Sequence, residues 1–256
     1  MRFSAKVAVI TGGGAGMGKA TAVAFAQEGA AVVVADIDAK AAESVAAEII
    51  AAGGQAKAVQ ADVSRSADAQ RISAEAVRVF GGIDVLVNNA GIQTYGTVVD
   101  TDEETWDRTI NVNLKSIFLV SKYCVPEITK RGGGAVVNMA SVQGMASQKR
   151  VVAYAATKGG IIAMTRTMAL DHAPDNIRVN CVCPGSVDTP MLRWAADIFV
   201  PENPAGAIED WGKLHALGRV ANASEIAKVI LFLASEDASF MTGSAVVVDG
   251  GMLAGL

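Results

Sequence analysis

The sequence predicts an α/β fold, a parallel sheet of seven strands doubly wound by helices into three layers, and three observations predict it. Short runs rich in β-branched residues recur between longer alanine-rich stretches of helical period. That alternation is the pattern of βαβ units around a sheet buried on both faces. Apolar residues make up 51% of the chain and charged ones 19%, a balance that fills such a core and argues against disorder. No repeat, low-complexity tract or polar linker divides the chain, so a single domain over residues 1–256 is expected.

In chain order, strands are expected at residues 6–10, 31–35, 56–60, 85–87, 135–139, 178–182 and 245–248. Helices are expected near 17–28, 39–52, 67–80, 103–129, 152–172 and 224–234. Gly29, Gly53 and Gly81 follow three of them, where a left-handed residue closes the last turn, and Ser224 is expected to N-cap the last helix. Residues 190–217 break the rhythm with prolines, mixed charge and the tryptophans Trp194 and Trp211. This segment reads as a lid inserted over a substrate site.

Composition narrows the function classes. The net charge of −4, with Lys and Arg scattered along the chain, supplies no basic patch for a phosphate backbone, so no nucleic-acid partner is expected. The first ten residues hold only a short apolar run, so neither export nor membrane anchoring is expected, and the cytoplasm is the expected location. Cys124, Cys181 and Cys183 are an odd number without CxxC spacing and read as reduced core thiols, with Cys181 and Cys183 assigned to opposite faces of one strand. No metal site is expected.

The chemistry begins after the first strand, where Thr11-Gly12-Gly13-Gly14-Ala15-Gly16-Met17-Gly18 leads into a helix. Glycines let the backbone approach a pyrophosphate closely, and the free N–H groups and positive end of the helix attract its charge, the arrangement of a Rossmann-like dinucleotide site. Asp36 ends the second strand, where a carboxylate can accept from both ribose hydroxyls of adenosine and repel a 2′-phosphate. Binding NADP would call for a basic residue in the turn or beside Asp36, but Ala15 and Ile37 stand there, so NAD is the expected cofactor. Asp62-Val63 after the third strand suits an adenine edge and face, although a helix-capping turn suits it almost as well. Asn88-Asn89-Ala90-Gly91 after the fourth adds small residues and amides at the same edge of the sheet.

Together with Asn113, Ser141, Tyr154-x-x-x-Lys158, Pro184-Gly185 and Val248-Asp249-Gly250-Gly251, these motifs resemble the short-chain dehydrogenase/reductase family along essentially the whole chain. The resemblance implies a catalytic tetrad of Asn113, Ser141, Tyr154 and Lys158, with Asn113 holding a water that links Lys158 to solvent. It implies cofactor contacts from Gly12, Gly14, Gly16, Met17, Gly18, Asp36, Ile37, Asp62, Val63, Asn89, Ala90 and Gly91, and further on from Tyr154, Lys158, Pro184, Gly185, Val187 and Thr189. It also implies a homotetramer, built through faces of the helices near 103–129 and 152–172 and through the last strand with the apolar tail 252–256.

The residue types suit hydride chemistry. Oxidising an alcohol requires a base for the hydroxyl proton, and Lys158, one turn from Tyr154, is placed to favour the phenolate electrostatically. Ser141 is suited to orient the substrate oxygen. Gln93, Gln143, Gln148 and Trp194, with Met145, Trp211 and His215, are the expected pocket wall. Glutamines suit a sugar or polyol, so the expected activity is NAD-dependent oxidation of a secondary alcohol or reduction of the carbonyl, on a sugar or polyol ahead of a cyclic or aliphatic alcohol. A ketoacyl-thioester reductase lacks its basic phosphate site here, and an NAD-binding sensor without catalysis is disfavoured by the complete tetrad.

Overall fold

Val7–Thr11 is buried along its whole length, so its side chains need apolar neighbours on both faces of a sheet. They find them in the computed structural model, which describes residues 1–255. Strand β1 (Val7–Thr11) is followed by α1 (Gly16–Gln27), β2 (Ala31–Asp36), α2 (Ala39–Ala51), β3 (Gln55–Gln60), α3 (Ser66–Phe80) and β4 (Val85–Asn88). After these come α4 (Glu103–Ile110), α5 (Ser116–Lys130), β5 (Gly134–Met139), α6 (Val152–His172), β6 (Ile177–Pro184) and β7 (Val187–Asp188). The chain then forms α7 (Pro190–Phe199), α8 (Pro204–Gly212), β8 (Ala221–Asn222), α9 (Ala223–Ala234) and β9 (Ala245–Val248).

The seven-stranded sheet runs β3-β2-β1-β4-β5-β6-β9, and every pairing in it is parallel. Ala8 and Ile10 face Ala22 and Phe25 of α1, Val45 of α2 and Ile230 of α9. Val9 faces the other way, toward Ile72 of α3 and Leu119 and Ile128 of α5. Full burial of each large side chain contributes about 1.5–3 kcal/mol, so this two-sided packing is the main force that makes the strands strands. Strand order reverses between β1 and β4, and the crevice beyond the carboxyl ends of those strands is where such sheets take ligands.

Several expectations are corrected. The helix expected across 103–129 is interrupted by a π turn, Asn111–Lys115, between α4 and α5. Helix α9 starts one residue before Ser224, and its N-cap is Asn222 in a reciprocal capping box with Glu225. Segment 190–217 is largely helical, because Thr189 and Asn203 cap α7 and α8 and a proline opens each. Cys181 and Cys183 share one face, as residues two apart in a strand must, and pack with Ile161 and Ile162 of α6 while Val182 faces the opposite cluster.

Two polar groups are built into the core. The Asp84 carboxylate, 3% exposed, accepts from Val7 N at 2.9 Å and pairs with Lys6 and Arg131, both at 3.2 Å. In mid-sheet, Asn88 and Asn138 stand opposite each other in the β4–β5 register. Asn88 Nδ2 donates to Asn138 Oδ1 at 2.9 Å and Ser121 Oγ at 3.2 Å, and Asn138 Nδ2 donates to Thr165 Oγ1 at 3.0 Å. Asn88 Oδ1 is left buried without a protein partner among the described residues.

Candidate active site

The glycine turn is fitted against its neighbours. A Cβ on Gly18 would collide with Gly12 O and crowd Asn89 Nδ2, and Gly16 takes a left-handed φ of +51°. Asn89 locks the end of β4 onto this turn, its Nδ2 donating to Thr11 O and Gly12 O at 3.0 Å each. Its backbone N–H and that of Ala90 donate to Thr11 Oγ1 at 3.0 and 3.1 Å. The N-cap of α1, Ala15, offers no side-chain cap and the first turn has no acidic residue, so its N–H groups are open to an anion.

Asp36 Oδ2 accepts from Gly14 N at 2.9 Å and Oδ1 from Asp38 N at 3.0 Å, which fixes the carboxylate over the turn. Ile37 beside it is exposed. Asp62 Oδ1 is engaged by Ser64 N and Oγ at 3.0 and 2.6 Å, a local turn that leaves Oδ2 without a hydrogen bond among the described residues, and Val63 is buried. The uncapped helix end, the cradle that a side chain would fill and the carboxylate poised above it fit a dinucleotide.

A cavity of about 620 Å³ opens at the carboxyl edge of the sheet. It brings together Ser141, Tyr154 and Lys158, and its wall includes Met17, Asn89, Gly91, Pro184, Gly185, Val187 and Thr189. Ser141, two residues past β5, caps a 3-10 turn over Val142–Gly144 by accepting from Gln143 N at 3.1 Å. Tyr154 and Lys158 lie one turn apart on α6, with Lys158 Nζ 5.3 Å from the phenol ring centroid. That ammonium also donates to Met139 O at 2.7 Å.

Burial dominates the electrostatics. It raises the Tyr154 phenol to about 12, against the favourable hydrogen bond from Ser141, and it lowers Lys158 to about 8. The shift of Tyr154 is opposite to the direction expected from Lys158 alone, because loss of water penalises the phenolate more than the protein's own groups favour it.

Asn113 is buried within the π turn and reaches the site through the backbone of Ile92, accepting from its N–H at 2.8 Å and donating to its C=O at 2.9 Å. Gln93, Gln143 and Gln148 line the cavity as expected, but Gln143 Oε1 is occupied by Gln148 N at 2.9 Å. Trp194 stands outside the wall and stacks on Tyr95, which lines it, with centroids 5.8 Å apart. Trp211 lines the cavity. His215 is buried behind it: Nε2 accepts from Ser186 N and Nδ1 donates to Trp211 O, both at 3.0 Å, tying α8 to the loop after β6. That pattern requires a neutral ring with its proton on Nδ1.

Tyr95, Lys149, Arg150, Met191, Phe199 and Met252 also line the cavity and were not foreseen. They belong to no motif. Tyr95 and Phe199 meet edge to face at 4.7 Å, a contact between segments far apart in sequence.

Residues 12–253 match the family profile described as Enoyl-(Acyl carrier protein) reductase. The chain belongs to the short-chain dehydrogenase/reductase family. Among relatives, it is 42% identical over 252 residues to a cyclohexanol dehydrogenase of Acinetobacter sp. (strain SE19), covering 97% of this chain and 95% of that one. It is 43% identical over 260 residues to a trans-4-hydroxycyclohexanecarboxylate dehydrogenase of Sinomonas cyclohexanicum, covering 99% and 95%. The crystal structure of levodione reductase superposes with a TM-score of 0.96 at 34% identity, covering 100% of each chain. As a short-chain dehydrogenase/reductase, the protein is an oxidoreductase that acts on CH–OH groups with a nicotinamide cofactor, NAD or NADP.

Proposed function

We propose that the protein is an NAD-dependent dehydrogenase of secondary alcohols on a mainly apolar, alicyclic carbon skeleton. The observation that carries this reading is the meeting of Ser141, Tyr154 and Lys158 in one cavity whose outer wall includes Met191, Phe199, Trp211 and Leu214. The cyclohexanol and hydroxycyclohexanecarboxylate activities of the two relatives agree with it. Asp36 is the residue that favours NAD, since its fixed carboxylate occupies the place where a 2′-phosphate would have to be neutralised.

In this reading the bound nicotinamide supplies the hydride acceptor, and the chain's own residues do the rest. The glycine turn and Asp36 hold the adenosine half, and Pro184, Gly185, Val187 and Thr189 hold the nicotinamide half. Ser141 orients the substrate hydroxyl and Tyr154 takes its proton, while Lys158 favours the phenolate and holds the nicotinamide ribose. Asn113 positions the loop that carries Gly91 and Gln93. Segment 190–217 serves as the substrate-side wall.

A sugar or polyol is a second reading, favoured by Gln93, Gln143 and Gln148 in the wall. It ranks behind the first because the Gln143 carbonyl is spent on the backbone, leaving that side chain as a donor only. The test follows reduced-cofactor absorbance with NAD and NADP against cyclohexanols, diols and aldoses. Turnover of cyclohexanols with NAD is expected. Preference for an aldose would replace the substrate assignment, preference for NADP the cofactor assignment, and NAD binding without any turnover would favour a sensor.

A further inference from the structure

The cavity carries an imbalance of charge. Its charged lining side chains are Lys149, Arg150 and Lys158, and no Asp or Glu lines it among the described residues. In a chain of net charge −4 this is a local reversal of sign. Lys158 is deep and donates to Met139 O. Lys149 and Arg150 are exposed at the mouth, and neither is in an ion pair among the described residues.

The backbone makes a second, independent point. Arg150 takes φ +63°, a left-handed conformation that costs a non-glycine residue stability, although neither it nor its neighbours is glycine. Its carbonyl accepts from Gly96 N at 2.7 Å, and Val151 bridges to Gly96, so the backbone of the segment is tied to the chain at Gly96. Strain of this kind in a non-glycine residue at a cavity wall is a sign of positioning.

We propose that Lys149 and Arg150 form a subsite for an anionic group on the substrate, a carboxylate or sulfonate separated from the carbinol by an apolar spacer. The proposal rests on the dehydrogenase reading above and sharpens its substrate class. Both cations sit on the β5–α6 connection that also carries Ser141, away from the glycine turn and Asp36 that hold the cofactor's adenosine half. Arg150 precedes Tyr154 by four residues, so their α-carbons are at most about 14 Å apart. An anion held by Lys149 and Arg150 therefore stays within reach of a substrate whose carbinol meets Tyr154, with the apolar wall of the same cavity available to a spacer between them.

The test compares kcat/KM with NAD for a hydroxycyclohexanecarboxylate, the matching sulfonate and the matching carboxamide. In parallel, calorimetry measures binding of unreactive cyclohexanecarboxylate and cyclohexanecarboxamide to the protein with NAD. At least one anion is expected to exceed the carboxamide by about tenfold, chiefly through KM, as for a charge-assisted hydrogen bond. Which anion does so identifies the group. The advantage is expected to shrink in about 0.5 M salt, to fall in Lys149→Gln and Arg150→Gln, to approach unity in the double variant and to persist largely in Arg150→Lys. A carboxamide used as well as both anions, or an advantage that survives the double substitution, overturns the proposal. If no alcohol is oxidised, the dehydrogenase reading falls, and calorimetry still decides: tighter binding of the carboxylate that Arg150→Gln removes upholds the subsite, and equal binding of carboxylate and carboxamide overturns it.

Discussion

Tyr154 can act as a base only if something offsets the water it has lost. Bringing a phenol from about 12 to neutrality takes about 7 kcal/mol, at about 1.36 kcal/mol per unit. Lys158, with Nζ 5.3 Å from the ring centroid, acts in the phenolate's favour but does not outweigh the burial. In the proposed reading, the positive charge of a bound oxidised nicotinamide would add in the same direction and so couple base strength to cofactor binding. The sign for pH follows: the raised phenol stays protonated near neutrality, so alcohol oxidation is expected to climb with pH and carbonyl reduction, which needs the proton, to fall. Initial rates in both directions over roughly pH 6 to 10 check this, and Tyr154→Phe is expected to lose at least about a hundredfold in kcat while still binding NAD. That Tyr154 and Lys158 share one helix face was legible in their spacing of four, while their assignment as a pair came from the motifs around them. The direction of the Tyr154 shift was not legible, since burial depends on packing that no spacing encodes.

Among elements, the π turn between α4 and α5 shows where periodicity stops being informative. A single helix across 103–129 satisfied the apolar pattern, yet Asn113 gains two hydrogen bonds to Ile92 from the interrupted geometry. Those bonds join two segments 21 residues apart, and a one-dimensional pattern carries no signal of them. Replacing Asn113 by Ala strands both backbone groups of Ile92, at a cost of about 1–3 kcal/mol each where water cannot reach them. Asn113→Ala is therefore expected to lower the thermal midpoint by several degrees and raise the KM for substrate, read by calorimetric melting and steady-state kinetics. Strand positions, by contrast, were read to within a few residues because two-sided burial forces runs such as residues 31–35 to be continuously apolar. Segment 190–217 was read as an inserted lid but not as helices, since Thr189-Pro190 and Asn203-Pro204 serve equally well as turn signals and as helix openings.

At the scale of the whole molecule, large apolar side chains are exposed on several elements among the described residues. Trp106, Phe118 and Leu170 stand on α4, α5 and α6, and Phe232 and Val247 on α9 and on β9, an edge strand of the sheet, with Phe240 on the connection between them. Exposed apolar surface and an open edge together favour association. We expect a homotetramer, and light scattering that gives a monomer mass across micromolar concentrations would contradict it. The apolar tail expected to help begins at Met252, which lines the cavity, while Leu256 lies outside the described residues. A sheet of seven parallel strands, most of them valine and alanine, poses a problem of a different kind: its strands could slide past one another by two residues and still present the same face inward. The asparagine ladder removes that freedom. Only when Asn88 lies opposite Asn138 do their amides find each other, with Ser121 and Thr165 at either end; a slipped pairing leaves both buried and unanswered, at about 1–3 kcal/mol apiece. The ladder thus works as an alignment key, and since Asn89 follows β4 directly and Ser141 follows β5 by two residues, the key sets the mutual height above the sheet of the two connections that carry them.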